Sequence, residues 1–228
     1  MGLNPTKGNM YGFVTDTWNV VKGICPHDCS YCYMKKWGHL RNIRFDEKEL
    51  STDLGNDRFI FIGSSCDMWA DSVPIQWCRK VLEYKTLHHN NTGSNNRYLF
   101  QTKNPKKFST SYIYLSAYTD ILCTTLETNK IYPCMGNTPT PWERAQEMNN
   151  LHQIGFKTMV TIEPVLDFDI KELYQLVKMC EPFQVNIGAD SRRLNLPEPP
   201  KEKIIELISE LEKFATVYKK DNLRRLVA

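Results

Sequence analysis

Short apolar runs rich in β-branched and aromatic residues recur along the chain, separated by longer segments with a helical repeat. Apolar runs of roughly four to eight residues are typical of strands, and a repeat of about 3.6 residues is typical of amphipathic helices. The pattern predicts six strands, at residues 13–21, 58–63, 97–103, 121–126, 157–164 and 183–188.

Helical patterns follow several of these strands. Pro74 suits a helix start, because proline lacks an amide hydrogen that the first turn would leave unpaired. Thr140, Pro141 and Glu143 begin another helix, with Thr140 as N-cap and Glu143 completing a capping box. Gly155 would end that helix. The helices are predicted at 73–87, 141–155, 170–179 and 201–218.

The alternation of strands and helices predicts a parallel sheet of βα units. An open doubly wound sheet and a partial TIM-type barrel both fit, and both bind ligands at the carboxyl ends of their strands. Because no linker composition or repeat divides the chain, we expect one domain over residues 1–228. Its core would cover about 13–193, with a C-terminal helix and tail at about 197–228.

Polar residues collect where the predicted strands end. Loop polarity or helix capping explains any single one of them, but strand ends buried only for packing do not need carboxylates. We therefore expect a ligand site that includes several of Ser64, Ser65, Asp67, Thr102, Lys103, Thr125, Glu127, Glu163, Asn186 and Asp190.

Composition narrows the class of protein only a little. The chain has 228 residues, 41% of them hydrophobic, and a formal net charge of +3. This length allows one packed core, and the charge is too small to indicate nucleic-acid binding by itself. The N-terminus lacks a signal-peptide pattern and no apolar run is long enough to cross a bilayer. We expect a cytoplasmic protein without a membrane partner.

Three of the eight cysteines, Cys25, Cys29 and Cys32, stand close together after the first predicted strand. Without a secretory signal, metal binding is a better interpretation of this group than disulfides. Three thiolates on a short loop can bind three irons of a [4Fe–4S] cluster and leave the fourth iron open to a small amino acid. A structural zinc site is the alternative.

The segment Cys25-x-x-x-Cys29-x-Tyr31-Cys32 resembles the signature of the radical S-adenosylmethionine (SAM) superfamily. The resemblance implies an α/β fold, a partial TIM-type barrel of about six βα units with the [4Fe–4S] loop after strand 1. It places Tyr31 near the adenine of SAM. It also implies reductive cleavage of SAM to a 5′-deoxyadenosyl radical, with a one-electron reductant of the flavodoxin or ferredoxin type as partner.

A longer series of motifs is similar to the phage-associated family called domain of unknown function 5131. The series covers most of the chain, from Phe13 to Arg193. Its members are Trp18-Asn19, Ser64-Ser65-Cys66-Asp67-Met68-Trp69, Gln101-Thr102-Lys103-Asn104-Pro105, Glu127-Thr128-Asn129 and Ile162-Glu163-Pro164-Val165-Leu166.

The superfamily resemblance implies roles for the residues after the second and third strands. Ser64, Ser65 and Asp67 would bind the amino group of SAM, since hydroxyls and a carboxylate suit a cation; helix capping is the alternative. Lys103 would pair with the SAM carboxylate or a substrate phosphate, or else is a surface lysine. Cys66 is the candidate catalytic residue, as a hydrogen-atom donor, with a buried thiol as the alternative.

The same resemblance places Thr125 and Glu127 at the ribose, because an acidic acceptor suits a diol. Glu163 is then a cofactor-side or a substrate-side group. Ile162 and Val185 would flank the adenine.

These motifs do not name the substrate. Basic residues near the expected mouth of the site favour a phosphate-bearing substrate, either a nucleotide or a nucleic acid. Residues 29–33, Cys-Ser-Tyr-Cys-Tyr, also resemble the cluster region of spore photoproduct lyase, which makes DNA-lesion repair a narrower alternative. The alternative to an enzyme is a non-catalytic metal-binding or iron–sulfur protein.

Overall fold

The computed structural model describes residues 2–38 and 40–228. Its strands are β1 (Asn4–Pro5), β2 (Asp16–Trp18), β3 (Val21–Lys22), β4 (Arg44–Phe45), β5 (Phe59–Ile62), β6 (Arg97–Thr102), β7 (Asp120–Thr125), β8 (Lys157–Ile162), β9 (Gln184–Ile187) and β10 (Thr216–Lys219). Its α-helices are α1 (Ile75–Thr92), α2 (Lys106–Ser109), α3 (Pro141–Gln153), α4 (Ile170–Met179), α5 (Lys201–Leu211) and α6 (Arg224–Val227).

Eight strands form one sheet in the order β1-β2-β5-β6-β7-β8-β9-β10. The pairs from β2 to β10 are parallel, and β1 runs antiparallel at one edge. The expected α/β fold with a mostly parallel sheet is confirmed. In the described part of the chain β1 and β10 are the edges and do not pair with each other, so barrel closure is not shown.

Three predicted elements are wrong in extent, and one of them, helix α1, extends to Thr92, beyond its predicted end at 87. The strand predicted at 13–21 is reduced to β2, and β3 pairs with β4 in a separate two-stranded ribbon. The helix predicted at 201–218 ends at Leu211, and Thr216–Lys219 form the edge strand β10. Its residues favour strands, and Val217 pairs with Val185 of β9. The last turns of the helix predicted at 201–218 are therefore replaced by a strand that pairs with the edge of the sheet.

The boundaries of α3 and α4 agree closely with the sequence pattern. In α3 the Thr140 side chain accepts from the Glu143 backbone N–H, and the Glu143 carboxylate accepts from the Thr140 N–H. Helix α4 covers the predicted 170–179. Helix α1 runs beyond the predicted end to Thr92, where Gly93 adopts a left-handed conformation with φ of 65°. Within residues 2–38 and 40–228, no helix has both the length and the apolar character to span a membrane.

The two faces of the sheet belong to different hydrophobic cores. One face, with Ile162 and Val185, shares a core with residues of α1, α3, α4 and α5. The opposite face packs against the loop of residues 6–15, which we call the N-terminal loop, in a cluster of Tyr11, Val14, Phe61, Leu99, Ile121, Cys123 and Met159. Side chains alternate along a strand, so Gln101 and Thr125 continue this second face to the carboxyl ends.

Candidate cofactor site

A cavity of about 480 Å³ lies at the carboxyl ends of the parallel strands. It is bounded by the ends of β5 to β8, by part of the N-terminal loop, and by residues 25–32, which we call the cysteine loop. The cavity brings together most of the residues proposed from the sequence, namely Cys25, Cys29, Tyr31, Cys32, Ser64, Ser65, Cys66, Asp67, Lys103, Thr125 and Glu163.

Four proposed residues do not line this cavity, and one of them is Asn186, which is buried within β9. Glu127 is fully buried next to it and contacts Tyr31 and Lys103, which do line it. Ile162 and Val185 are fully buried in the helix-facing core. Met159 of the same strand faces the other core, and residues three apart on a strand point to opposite faces. The structure therefore does not bring Ile162 and Val185 to the cavity.

Segments far along the chain hold the cysteine loop in place. The Asn137 N–H donates to the His27 carbonyl at 2.7 Å, and the Ser30 N–H donates to the Cys134 carbonyl at 2.9 Å. Arg192 Nη1 donates to the Ser30 carbonyl at 2.9 Å. A Cβ atom at Gly136 would lie 2.1 Å from the His27 carbonyl oxygen, so this close approach requires glycine.

The three cysteines of the loop are free thiols. Cys29 is buried and its Sγ lies 3.2 Å from the Met135 carbonyl oxygen, whereas Cys25 and Cys32 are half-buried. Within residues 2–38 and 40–228, the structure contains no group of three His, Cys, Asp or Glu side chains arranged to hold a metal ion.

Cys66 lines the cavity together with the first cysteine of the loop, Cys25. The neighbouring Cys66 thiol lowers the pKa of Cys25. The influence of Cys25, together with burial, raises the pKa of Cys66. The candidate catalytic thiol is thus buried beside a candidate cluster ligand.

Asp67, in the loop that follows β5, is surrounded by hydrogen-bond donors from the protein itself. Its Oδ2 accepts from His27 Nε2 at 2.9 Å, Thr102 Oγ1 at 2.8 Å and the Lys103 N–H at 2.9 Å, and its Oδ1 accepts from the Trp69 N–H at 2.9 Å. Burial raises the pKa of Asp67, but the hydrogen bond and charge of His27 and the backbone donors outweigh it and lower the pKa. This carboxylate joins β5, β6 and the cysteine loop.

Glu127 forms a buried network with Tyr31, Lys103 and Arg144, which we call the Glu127 network. One carboxylate oxygen accepts from Tyr31 Oη and Lys103 Nζ, and the other accepts from Arg144 Nη1 at 2.7 Å. Burial raises the pKa of Glu127, but the charges of Arg144 and then Lys103 bring it down to about 2. Glu127 is therefore held by the protein as a carboxylate.

Lys103 is not a surface lysine. Its side chain is 16% exposed, and Nζ lies 2.6 Å from Tyr31 Oη and 3.6 Å from Cys29 Sγ. The ammonium group also lies over the Tyr31 ring, 4.4 Å from its centre. Lys103 thus connects the Glu127 network to a cysteine of the loop.

Glu163 holds the opposite side of the cavity. Its carboxylate accepts from Asn9 Nδ2 at 2.7 Å, Lys220 Nζ at 2.6 Å and Asn222 Nδ2 at 2.8 Å. A Cβ atom at Gly188 would lie 2.7 Å from Glu163 Oε1, so glycine makes room for this contact. Glu163 therefore joins the N-terminal loop to the chain that follows β10.

The remaining cavity groups are arranged by neighbouring amides. Asn19 Oδ1 accepts from Ser64 Oγ at 3.2 Å and from the Ser65 N–H at 2.8 Å, which fixes the turn after β5. The N-cap of α1 is Pro74, so the two serines do not cap that helix. Gln101 accepts from Tyr11 Oη at 2.7 Å and donates to Thr125 Oγ1 at 3.1 Å.

The protein partners of the three carboxylates could not be predicted from the sequence motifs. These are His27 on Asp67, Arg144 on Glu127, and Asn9, Lys220 and Asn222 on Glu163. His27 lies inside the cysteine motif, and this position was the one sequence feature that could have indicated a role in the site.

The comparisons with known proteins identify the fold. No protein-family model matches the chain, and no curated protein matches it. The fold is similar to that of solved structures of spore photoproduct lyase, three of which are described below. A double mutant of that enzyme with bound AdoMet and dinucleoside spore photoproduct has a TM-score of 0.66 at 12% identity, over 93% of this chain and 78% of that chain.

Two further structures of the same enzyme agree. A single-substitution mutant has a TM-score of 0.65 at 14% identity, and a mutant with dinucleoside spore photoproduct has 0.65 at 10% identity. Each alignment covers 93% of this chain and 78% of the other. At these identities the likeness establishes a shared fold. The phage-associated family remains a prediction from the sequence motifs.

Proposed function

We propose that the chain is a radical SAM enzyme whose cysteine loop holds a [4Fe–4S] cluster through Cys25, Cys29 and Cys32. One observation carries the proposal: three free thiols of a single loop line one cavity at the carboxyl ends of a parallel sheet. Ligand sites of parallel α/β folds lie at this edge. The fold is that of spore photoproduct lyase, an enzyme solved with bound AdoMet.

The residues present fit such a cluster. The donors are thiolates, the ligand type of iron–sulfur clusters, and the cysteine loop supplies three of them. When bound, the cluster supplies the electron that cleaves SAM to a 5′-deoxyadenosyl radical, and a reductant of the flavodoxin or ferredoxin type would provide that electron. Carboxylates already bonded within the protein, Asp67 and Glu127, hold the loop and the strand ends in position.

Other cavity residues are available to bind SAM and a substrate. Ser64 and Ser65, in the turn held by Asn19, are candidates for the SAM amino group. Thr125 lines the cavity and is a candidate for a ribose hydroxyl. Buried walls such as Tyr11 and Phe61 exclude water from the reaction.

A nucleotide or nucleic acid is the substrate class that we favour. Lys7, Lys36 and Lys220 line the same cavity and would attract phosphate groups. Spore photoproduct lyase has been solved with dinucleoside spore photoproduct, which supports DNA-lesion repair as the narrower alternative.

Metal content tests the proposal against its non-catalytic alternative. Anaerobic reconstitution with iron and sulfide should give brown protein with about four irons per chain, and its reduced EPR spectrum should change when SAM is added. Colourless protein that retains about one zinc per chain would support a structural metal-binding protein instead. A Cys180→Ala variant is the matched control, because Cys180 is a buried cysteine of the helix-facing core.

A further inference from the structure

Lys103 approaches the cysteine loop from β6 with its charge directed at one thiol. Its Nζ lies 3.6 Å from Cys29 Sγ, within hydrogen-bond reach of a sulfur atom. The same ammonium group donates to Tyr31 and Glu127. The sequence motifs predicted a pairing with the SAM carboxylate or a substrate phosphate, whereas the structure gives Lys103 partners in the protein.

The charges of the Glu127 network do not cancel. Lys103 and Arg144 are cations and Glu127 is the carboxylate between them. Tyr31 adds a neutral hydroxyl, which donates to Glu127. The network therefore places a net single positive charge beside Cys29.

Burial strengthens the electrostatic effect of this charge on Cys29. The side chains of Glu127 and Arg144 are fully buried, and that of Lys103 is 16% exposed. Charges act more strongly where water does not screen them. Hydrogen bonds to the sulfurs and nearby charge are among the factors that set the reduction potential of an iron–sulfur cluster.

We propose that the Glu127 network sets the reduction potential of a cluster held by Cys29, with Lys103 raising it and Glu127 lowering it. Reduction adds one negative charge to the cluster. A cation beside a ligand sulfur stabilises the reduced state, and a carboxylate behind that cation opposes the effect. This inference rests on the proposed function, and it makes Lys103 and Glu127 positioning residues that act through Cys29.

An EPR-monitored redox titration of the reconstituted protein, without SAM, tests the inference. The K103M variant should have a more negative potential than the wild type, and the E127Q variant a less negative one. A structural role would not move the two potentials in opposite directions. Lys220→Met is the matched control: Lys220 lines the same cavity but is bonded to Glu163, and its loss should shift the potential less than K103M does.

Each outcome of the titration either supports or overturns the inference. Unmoved potentials, or shifts of both variants in the same direction, would overturn the inference and leave the proposed function standing. A wild-type protein that assembles no cluster would overturn both. If K103M loses the cluster, E127Q decides alone, because Arg144 and Lys103 remain in that variant and its potential should still rise. Circular dichroism and iron content establish that each variant is folded and loaded.

Discussion

The Asp67 carboxylate accepts a hydrogen bond from His27 Nε2 at 2.9 Å, so the loop after β5 directly holds the segment between the first two cysteines of the cysteine loop. The bond is part-buried, since the His27 and Asp67 side chains are 4% and 12% exposed. Asp67, which was expected to bind the amino group of SAM, therefore stabilises the protein structure. Glu127 and Glu163 also stabilise the structure, because each accepts hydrogen bonds from several protein donors.

Asp67→Asn should destabilise the protein. The amide would present a donor where the carboxylate accepts from His27, Thr102 and backbone N–H groups. Leaving buried donors unpaired costs about 2 kcal/mol of unfolding free energy, measurable by urea unfolding of the metal-free protein. Asp57→Asn, at an exposed turn, should change it by less than about 0.5 kcal/mol. Unchanged stability in D67N together with lost SAM binding would instead make Asp67 a SAM ligand.

The unfolding free energy should depend on pH through the ionisation of Glu127. Its pKa in the folded protein is about 2, below the ordinary value of 4.5. The ionised carboxylate therefore stabilises the folded state fully above about pH 4.5, and that contribution is lost as the pH falls towards 2. The unfolding free energies of wild type and Glu127→Gln should differ most near neutral pH and converge on acidification. Parallel curves from pH 7 to pH 3, measured by urea unfolding, would contradict this account.

Gly188→Ala should disturb the Glu163 side of the cavity. The added Cβ would lie 2.7 Å from Glu163 Oε1 and 2.9 Å from Asn222 Oδ1. Overpacking of this kind costs about 2 kcal/mol of unfolding free energy, to be measured by urea unfolding. In the control Gly12→Ala, the Cβ would meet only Tyr218 Oη, at 4.0 Å. Equal stability of the two variants would show that the Glu163 contact is not tight.

The elements that the sequence predicted well are those with strong local signals. The capping box at Thr140 and the amphipathic helix α4 depend on residues within a few positions of each other. Strand β10 was missed because its four residues come only a few positions after the end of a helix and are ordered by pairing with β9. The grouping of Cys25, Cys29 and Cys32 could be predicted because the motif is contiguous.

The partners of the buried carboxylates had no local signal. Arg144 is 17 residues from Glu127 in the chain, and Lys220 is 57 residues from Glu163. Only the fold brings each pair together, so the sequence alone assigned Glu127 to the cofactor and Glu163 to the cofactor or the substrate. Ile162 and Val185 were wrongly placed at the cofactor for a different reason. In the sheet Val160 of β8 is paired with Val185 of β9, and the alternation of side chains along each strand then directs Ile162 and Val185 to the helices.

Formation of 5′-deoxyadenosine is the measurement that tests the central claim most directly. Reconstituted wild-type protein, given SAM and dithionite without oxygen, should release 5′-deoxyadenosine, detected by liquid chromatography with mass spectrometry. Cys25→Ala, Cys29→Ala and Cys32→Ala should each abolish this product, and Cys180→Ala should retain it. If any of the three loop variants still cleaved SAM, or if the wild type with its full iron content did not, the assignment of this site would be contradicted.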